Sequence, residues 1–126
     1  MPYSATYDGE AGLIALSFRG KVDLPALRKL ASDAARISKE HNCFLVLSDF
    51  REATLSLSTM EIYTLPKTLS EILSASGINV YRFKRALVMS TDIDDFTFFE
   101  TVSRNRSQNI TLFRDVDEAK KWLLRK

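Results

Sequence analysis

With 126 residues, 45% of them hydrophobic and 27% charged, the chain is long enough for one domain with a real core and too short for two, and its composition is not that of a disordered segment. Eighteen basic residues against sixteen acidic ones leave a formal charge of +2, too balanced to require nucleic acid as a partner, since neutralising phosphates takes a concentrated basic surface. One cysteine, Cys43, cannot close an internal disulfide, which fits a reducing compartment.

The chain opens Met-Pro-Tyr-Ser-Ala-Thr-Tyr-Asp, without the basic start and apolar stretch of a signal peptide, and no run approaches the roughly 20 apolar residues that span a bilayer. A cytoplasmic domain without stable membrane insertion is expected. Tyr3 to Tyr7 alternates aromatic and small residues and leads into Asp-Gly-Glu-Ala-Gly, which predicts a strand, a short turn and a second strand over Leu13 to Arg19. The first strand is then an antiparallel edge. In the second, Ile14, Leu16 and Phe18 share one face.

Asp23 is a good N-cap, Pro25 suits a first turn, and Leu24, Leu27, Leu30, Ala31, Ala34 and Ile37 repeat at helical spacing, so a helix is predicted from Asp23 to about His41-Asn42. The run from Cys43 to Phe50 is apolar on both alternating faces. It reads as a central strand covered on both sides, ending near Asp49, with Cys43 as a buried thiol. After a loop, Ser58-Thr-Met-Glu61 has the spacing of a capping box and predicts a second helix. Pro66 removes a donor inside it, so a kink or two consecutive helices are expected between Thr59 and Ser76, with Gly77 as the stop.

Arg85 to Ser90 reads as another buried strand. Asp94 or Asp95 is expected to cap a third helix running to about Ser107, with Phe98, Phe99 and Val102 on one arc and Phe96 to its side. Ile110 to Phe113 is a short last strand, and Asp115-Val-Asp-Glu118 opens a final helix whose Ala119, Trp122 and Leu123 face inward, with Trp122 largely buried. A strand pair followed by alternating helices and strands predicts one α/β domain over residues 1–126 with a mostly parallel sheet.

The strand leading to Ser48-Asp49, the strand Arg85-Ala-Leu-Val-Met89 and the ending from Ile110 to Leu123 resemble the SpoIIAA-like branch of the STAS superfamily across nearly the whole chain. The resemblance implies a mixed, mostly parallel five-stranded sheet with an antiparallel edge strand and about four helices, largely on one side. It also implies a regulatory, protein-binding role like that of anti-sigma factor antagonists, switched by phosphorylation of a serine at a helix start, and a distant kinship with CRAL-TRIO lipid-transfer domains. Where that switch carries Asp-Ser-Ser-Gly, this chain has Ser56-Leu-Ser-Thr59, so Ser58 takes the position of the switched serine without its flanking acid and glycine.

No enzyme is expected. The one histidine, His41, has no partners for a metal site or a serine triad, and the four glycines make no phosphate loop. No cofactor is predicted. Ligands of open parallel sheets collect at the carboxyl ends of the strands, and there the sequence places Arg19, Asp49 with Arg51, Thr91 with Asp92, and Arg114 with Asp115. The candidate partner or switch site is Asp49, Arg51, Ser56, Ser58 and Thr59, for an unidentified protein partner. The alternative is a lipophilic small molecule held between the second and third helices by Tyr63, Phe96 and Phe99. The sequence does not fix the oligomeric state.

Overall fold

A computed structural model describes residues 3–90 and 93–125. Ten elements follow one another: β1 (Tyr3–Asp8), β2 (Leu13–Val22), α1 (Leu24–His41), β3 (Leu45–Leu55), α2 (Thr59–Ala75), a 3-10 turn (Val80–Arg82), β4 (Lys84–Met89), α3 (Ile93–Asn105), β5 (Asn109–Phe113) and α4 (Val116–Leu124). The strands form one five-stranded sheet in chain order, with β1 antiparallel to β2 and every later pair parallel. An α/β domain with an antiparallel edge is the architecture the sequence predicts.

The alternation of side chains along the strands sorts the core into two layers. Ile14, Leu16, Phe18, Val46, Phe50 and Leu87 point to the face covered by α1, α2 and α3. Leu13, Leu47, Ala86 and Val88 point to the other face, where Ala119 and Leu123 of α4 cover them. The central strand is therefore apolar on both sides because both sides are roofed.

The helix ends follow local chemistry. Asp23 caps α1 through Ala26 N at 3.0 Å, and Asn42 closes it in the left-handed region, at φ 49°. The α2 helix runs unbroken through Pro66, so the division into two helices does not occur. Pro66 is fully buried, so packing offsets the backbone bond its missing N–H cannot make to Ile62 O, and its own carbonyl accepts from Gln108 Nε2 at 3.1 Å, tying α2 to the end of α3. Asp94 and Asp95 lie in the first turn of α3 rather than before it. The inward face of α3 is Phe96, Phe99 and Val102, while Phe98 is half-buried, so Phe99 and Val102 lie on the expected arc and Phe96 and Phe98 exchange places.

Trp122 is also only half-buried. It packs on Phe113, ring centroids 5.6 Å apart, and its outer side carries the Lys84 ammonium, 4.6 Å from the ring centroid, which lets a large aromatic sit at the edge of the α4 layer. Cys43 is buried, as expected, but precedes β3; its thiol donates to Gly12 O at 3.5 Å. His41 lies at the exposed end of α1, stacked on Tyr7 at 3.8 Å.

Candidate functional site

The main departure from the expected strand pattern is also what builds the site. The β3 strand does not stop at Asp49. It continues to Leu55 beside an extended β2, pairing Glu52 with Arg19, Ala53 with Gly20 and Leu55 with Val22. Between the pairs Ser17–Asp49 and Arg19–Glu52, β3 holds one residue more than β2, a bulge. The extra residue reverses the alternation, so that Ala53 returns to the face of Phe50 and is buried there. Gly20, at φ 67°, takes up the matching bend in β2.

The bulge turns polar side chains toward the carboxyl edge of the sheet. Arg51 Nε and Nη2 donate to the two Asp49 carboxylate oxygens at 3.0 and 2.8 Å, and the Arg51 backbone N–H adds a bond of 3.0 Å to the same group. These hydrogen bonds from Arg51 hold the Asp49 carboxyl below its usual range against the opposing effect of burial. The same bonds raise the Arg51 pKa, with weaker attraction from Glu52 and Asp115. Ser90 Oγ donates to Arg51 O at 2.6 Å, which ties the bulge to the end of β4. Arg19 pairs with Glu52 at 3.1 Å, both well exposed. Asp115 caps α4, and Arg114 is exposed. Thr91 and Asp92 lie outside the described residues.

Past the strand, Leu55 and Leu57 turn inward while Ser56 and Ser58 face water. Ser56 N donates to Val22 O at 2.8 Å, fixing the connection against β2. Ser58 is the N-cap of α2 in a complete capping box: its hydroxyl accepts from Glu61 N at 3.1 Å, and its own N–H donates to Glu61 Oε1 at 2.8 Å. Thr59 opens the helix, exposed. One turn later Met60 and Tyr63 stand out, 68% and 54% exposed. Met60 is not among the site residues expected from the sequence, though a methionine inside a capping box, on the outward side of an amphipathic helix, is a readable signal.

A cavity of about 100 Å³ lies between the sheet and helices α1, α2 and α3. Phe96 and Phe99 line it, as expected. Tyr63 does not; the helix turns it to solvent, and Ile62 and Leu65 take the inward positions. Two polar residues, Ser48 and Arg85, interrupt the apolar wall. Arg85 opens the expected buried strand and is not among the site residues the sequence singles out, although a cation at the head of Ala-Leu-Val-Met is a readable signal. Burial lowers its pKa to about 10. Among the described residues no group of three or more histidine, cysteine, aspartate or glutamate side chains is placed to hold a metal ion. Nor is any helix among them long and apolar enough to cross a membrane.

No family model matches the sequence, and no curated protein is significantly similar to it. Solved structures are. An anti-sigma factor antagonist from Mycobacterium paratuberculosis is 14% identical, with 96% of this chain and 93% of that one covered and a TM-score of 0.56. A DUF3478-family protein with a SpoIIAA-like fold, from Shewanella loihica PV-4, is 17% identical, covering 96% and 91% of the two chains with a TM-score of 0.55. The anti-sigma factor antagonist SpoIIAA, in its unphosphorylated form, is 8% identical, covering 92% and 91% with a TM-score of 0.54. The chain has the SpoIIAA-like fold.

Proposed function

We propose that this SpoIIAA-like domain is a regulatory, non-enzymatic module that binds a protein partner through the β3–α2 connection and the first turns of α2. The observation that carries the reading is the pair Met60 and Tyr63, two large side chains one turn apart and mostly in water, on a helix whose start is pinned by a capping box. Large apolar and aromatic groups held out on a rigid element are the anchors that interfaces bury, and the Asp49–Arg51 pair with the Ser56 and Ser58 hydroxyls supplies a polar rim. Two of the similar structures are described as anti-sigma factor antagonists, which agrees with a regulatory role. A cytoplasmic setting belongs to the same reading, on the strength of a single buried thiol.

Ser58 has a structural role as a cap, and the same position lets it act as a switch. An anion there meets the unpaired amides of the α2 start, which stabilise negative charge by roughly 0.3 to 1 kcal/mol. The fold survives while the surface at the start of α2 gains negative charge. The test is quantitative capture from a cell extract by the immobilised domain, comparing the unmodified chain with a Met60→Ala, Tyr63→Ala double variant and with Ser58→Asp. Loss of the same companion in both, at unchanged thermal stability, supports the reading. Capture indifferent to all three substitutions removes it.

A further inference from the structure

The cavity under α2 carries one cation, Arg85, on an otherwise mostly apolar wall. A guanidinium offers five N–H donors and stays protonated at neutral pH even with a pKa near 10. One donor of Arg85 is used, from Nη2 to Gln108 Oε1 at 2.6 Å. Gln108 is neutral, buried, and already commits its amide to Pro66 O. Among the described residues no carboxylate lies within ion-pairing distance of Arg85. The Arg85 side chain is half-buried, and a cation drawn back from water in this way is ordinarily paired, because leaving it unpaired is costly. Here the cation lies instead on the wall of a cavity otherwise lined by leucine, phenylalanine and other apolar side chains.

The neighbouring strand adds a second polar group on the same face. Val46 is in register with Arg85 and Ser48 with Leu87, so Ser48 stands diagonally across from Arg85, and its hydroxyl makes no hydrogen bond among the described residues. A fork of donors and a hydroxyl on one face of an otherwise apolar cavity match an anion that carries a hydrocarbon tail. The size and charge narrow it further. A cavity of about 150 Å³ admits benzene, so about 100 Å³ admits a chain of a few carbons and not a full-length lipid. A phosphate monoester brings close to two negative charges against one cation, leaving the excess buried, whereas a carboxylate brings one and fits the planar fork in two-point fashion.

We propose that the sheet–helix cavity is a binding site for a short aliphatic carboxylate, its head on Arg85 and Ser48 and its tail among the side chains of α2 and α3. This assignment does not depend on the partner-binding reading, which concerns the outer surface of α2. It is tested by titrating the isotope-labelled domain with hexanoate, hexanol and hexyl phosphate, followed by amide chemical shifts. Hexanoate is expected to saturate, moving the amides of Ser48, Leu65 and Leu87, with hexanol and hexyl phosphate at least about tenfold weaker, the equivalent of one charge-assisted hydrogen bond. Arg85→Met is expected to abolish the preference for hexanoate over hexanol. Gln108→Glu gives Arg85 an internal counter-ion but gives up the donor to Pro66 O, so it is expected to lose hexanoate binding at least tenfold with some loss of stability, its folding read from the dispersion of the same amide spectra, and it decides the matter if Arg85→Met does not fold. No saturable binding of hexanoate, equal affinity for hexanol, or undiminished hexanoate binding in Gln108→Glu overturns the assignment.

Discussion

Arg51 and Arg85 show how differently one residue type behaves a few ångströms in or out of water. Arg51 is at the surface with two hydrogen bonds to Asp49, and its worth is limited by solvent screening to at most about 1 kcal/mol. Its effect on Asp49 is still measurable. A carboxyl whose pKa is lower in the folded than in the unfolded chain contributes fully above the unfolded value, and loses that contribution as pH falls through the folded one. Asp49→Asn is therefore expected to lose a little stability at pH 7 and to flatten the loss between about pH 5 and pH 2, a difference that urea midpoints at the two ends measure. Equal loss on acidification in both proteins would show the pair to be idle. Ser58 makes the complementary case: Ser58→Ala is expected to cost about 1 kcal/mol, through the N-cap bond alone, and Ser58→Asp to restore it. Thermal melts of the two variants check this.

Among the elements, β3 is where reading the sequence stopped short. Phe50, Ala53 and Leu55 are spaced three and then two residues apart, which no uninterrupted strand alternation gives, so the apolar run looks finished at Asp49. The bulge accounts for the spacing, but it is visible only once β2 lies alongside with one residue fewer. Cap chemistry, by contrast, was readable because it is local: Asp23, Ser58 and Asp115 all cap the helices expected of them. The pairing of Arg85 with Gln108, 23 residues away, has no local signature. Two predictions belong here. Gly20→Ala meets no atom within 4 Å, so its cost is that of a left-handed backbone alone, about 1 to 2 kcal/mol by chemical denaturation. On α3 and α4, Phe96→Ala is expected to cost about 3 to 5 kcal/mol, and Trp122→Ala clearly less, because Phe96 is 1% exposed whereas the tryptophan packs at the edge of the α4 layer and stays half-buried. Equal losses would place Trp122 in the core after all.

The molecule as a whole is lopsided. Three helices roof one face of the sheet and enclose the cavity, whereas the other face depends on the nine residues of α4, seated through Ala119 and Leu123 on Leu13, Leu47, Ala86 and Val88. That asymmetry was legible in part: the two-faced apolar run of β3 demanded cover on both sides, while which helix supplied it depended on the order of strands. A helix of nine residues has little stability of its own, so α4 holds its place through that one layer, the packing of Trp122 on Phe113 and the Lys84 bond to Trp122 O. Local opening should follow the same division, because segments with few buried apolar neighbours open at lower free energy than the sheet they cover. Native-state hydrogen exchange is expected to show the amides of α4 exchanging well before those of β3 and β4, with α1 and α2 between them. Leu123→Ala should speed exchange in α4 while leaving the β3 and β4 amides closer to their original protection, since α4 can lift away without disturbing the three-helix face. If the α4 amides instead exchange together with the central strands in both proteins, the two faces unfold as one unit, and α4 is as much a part of the cooperative core as the sheet itself.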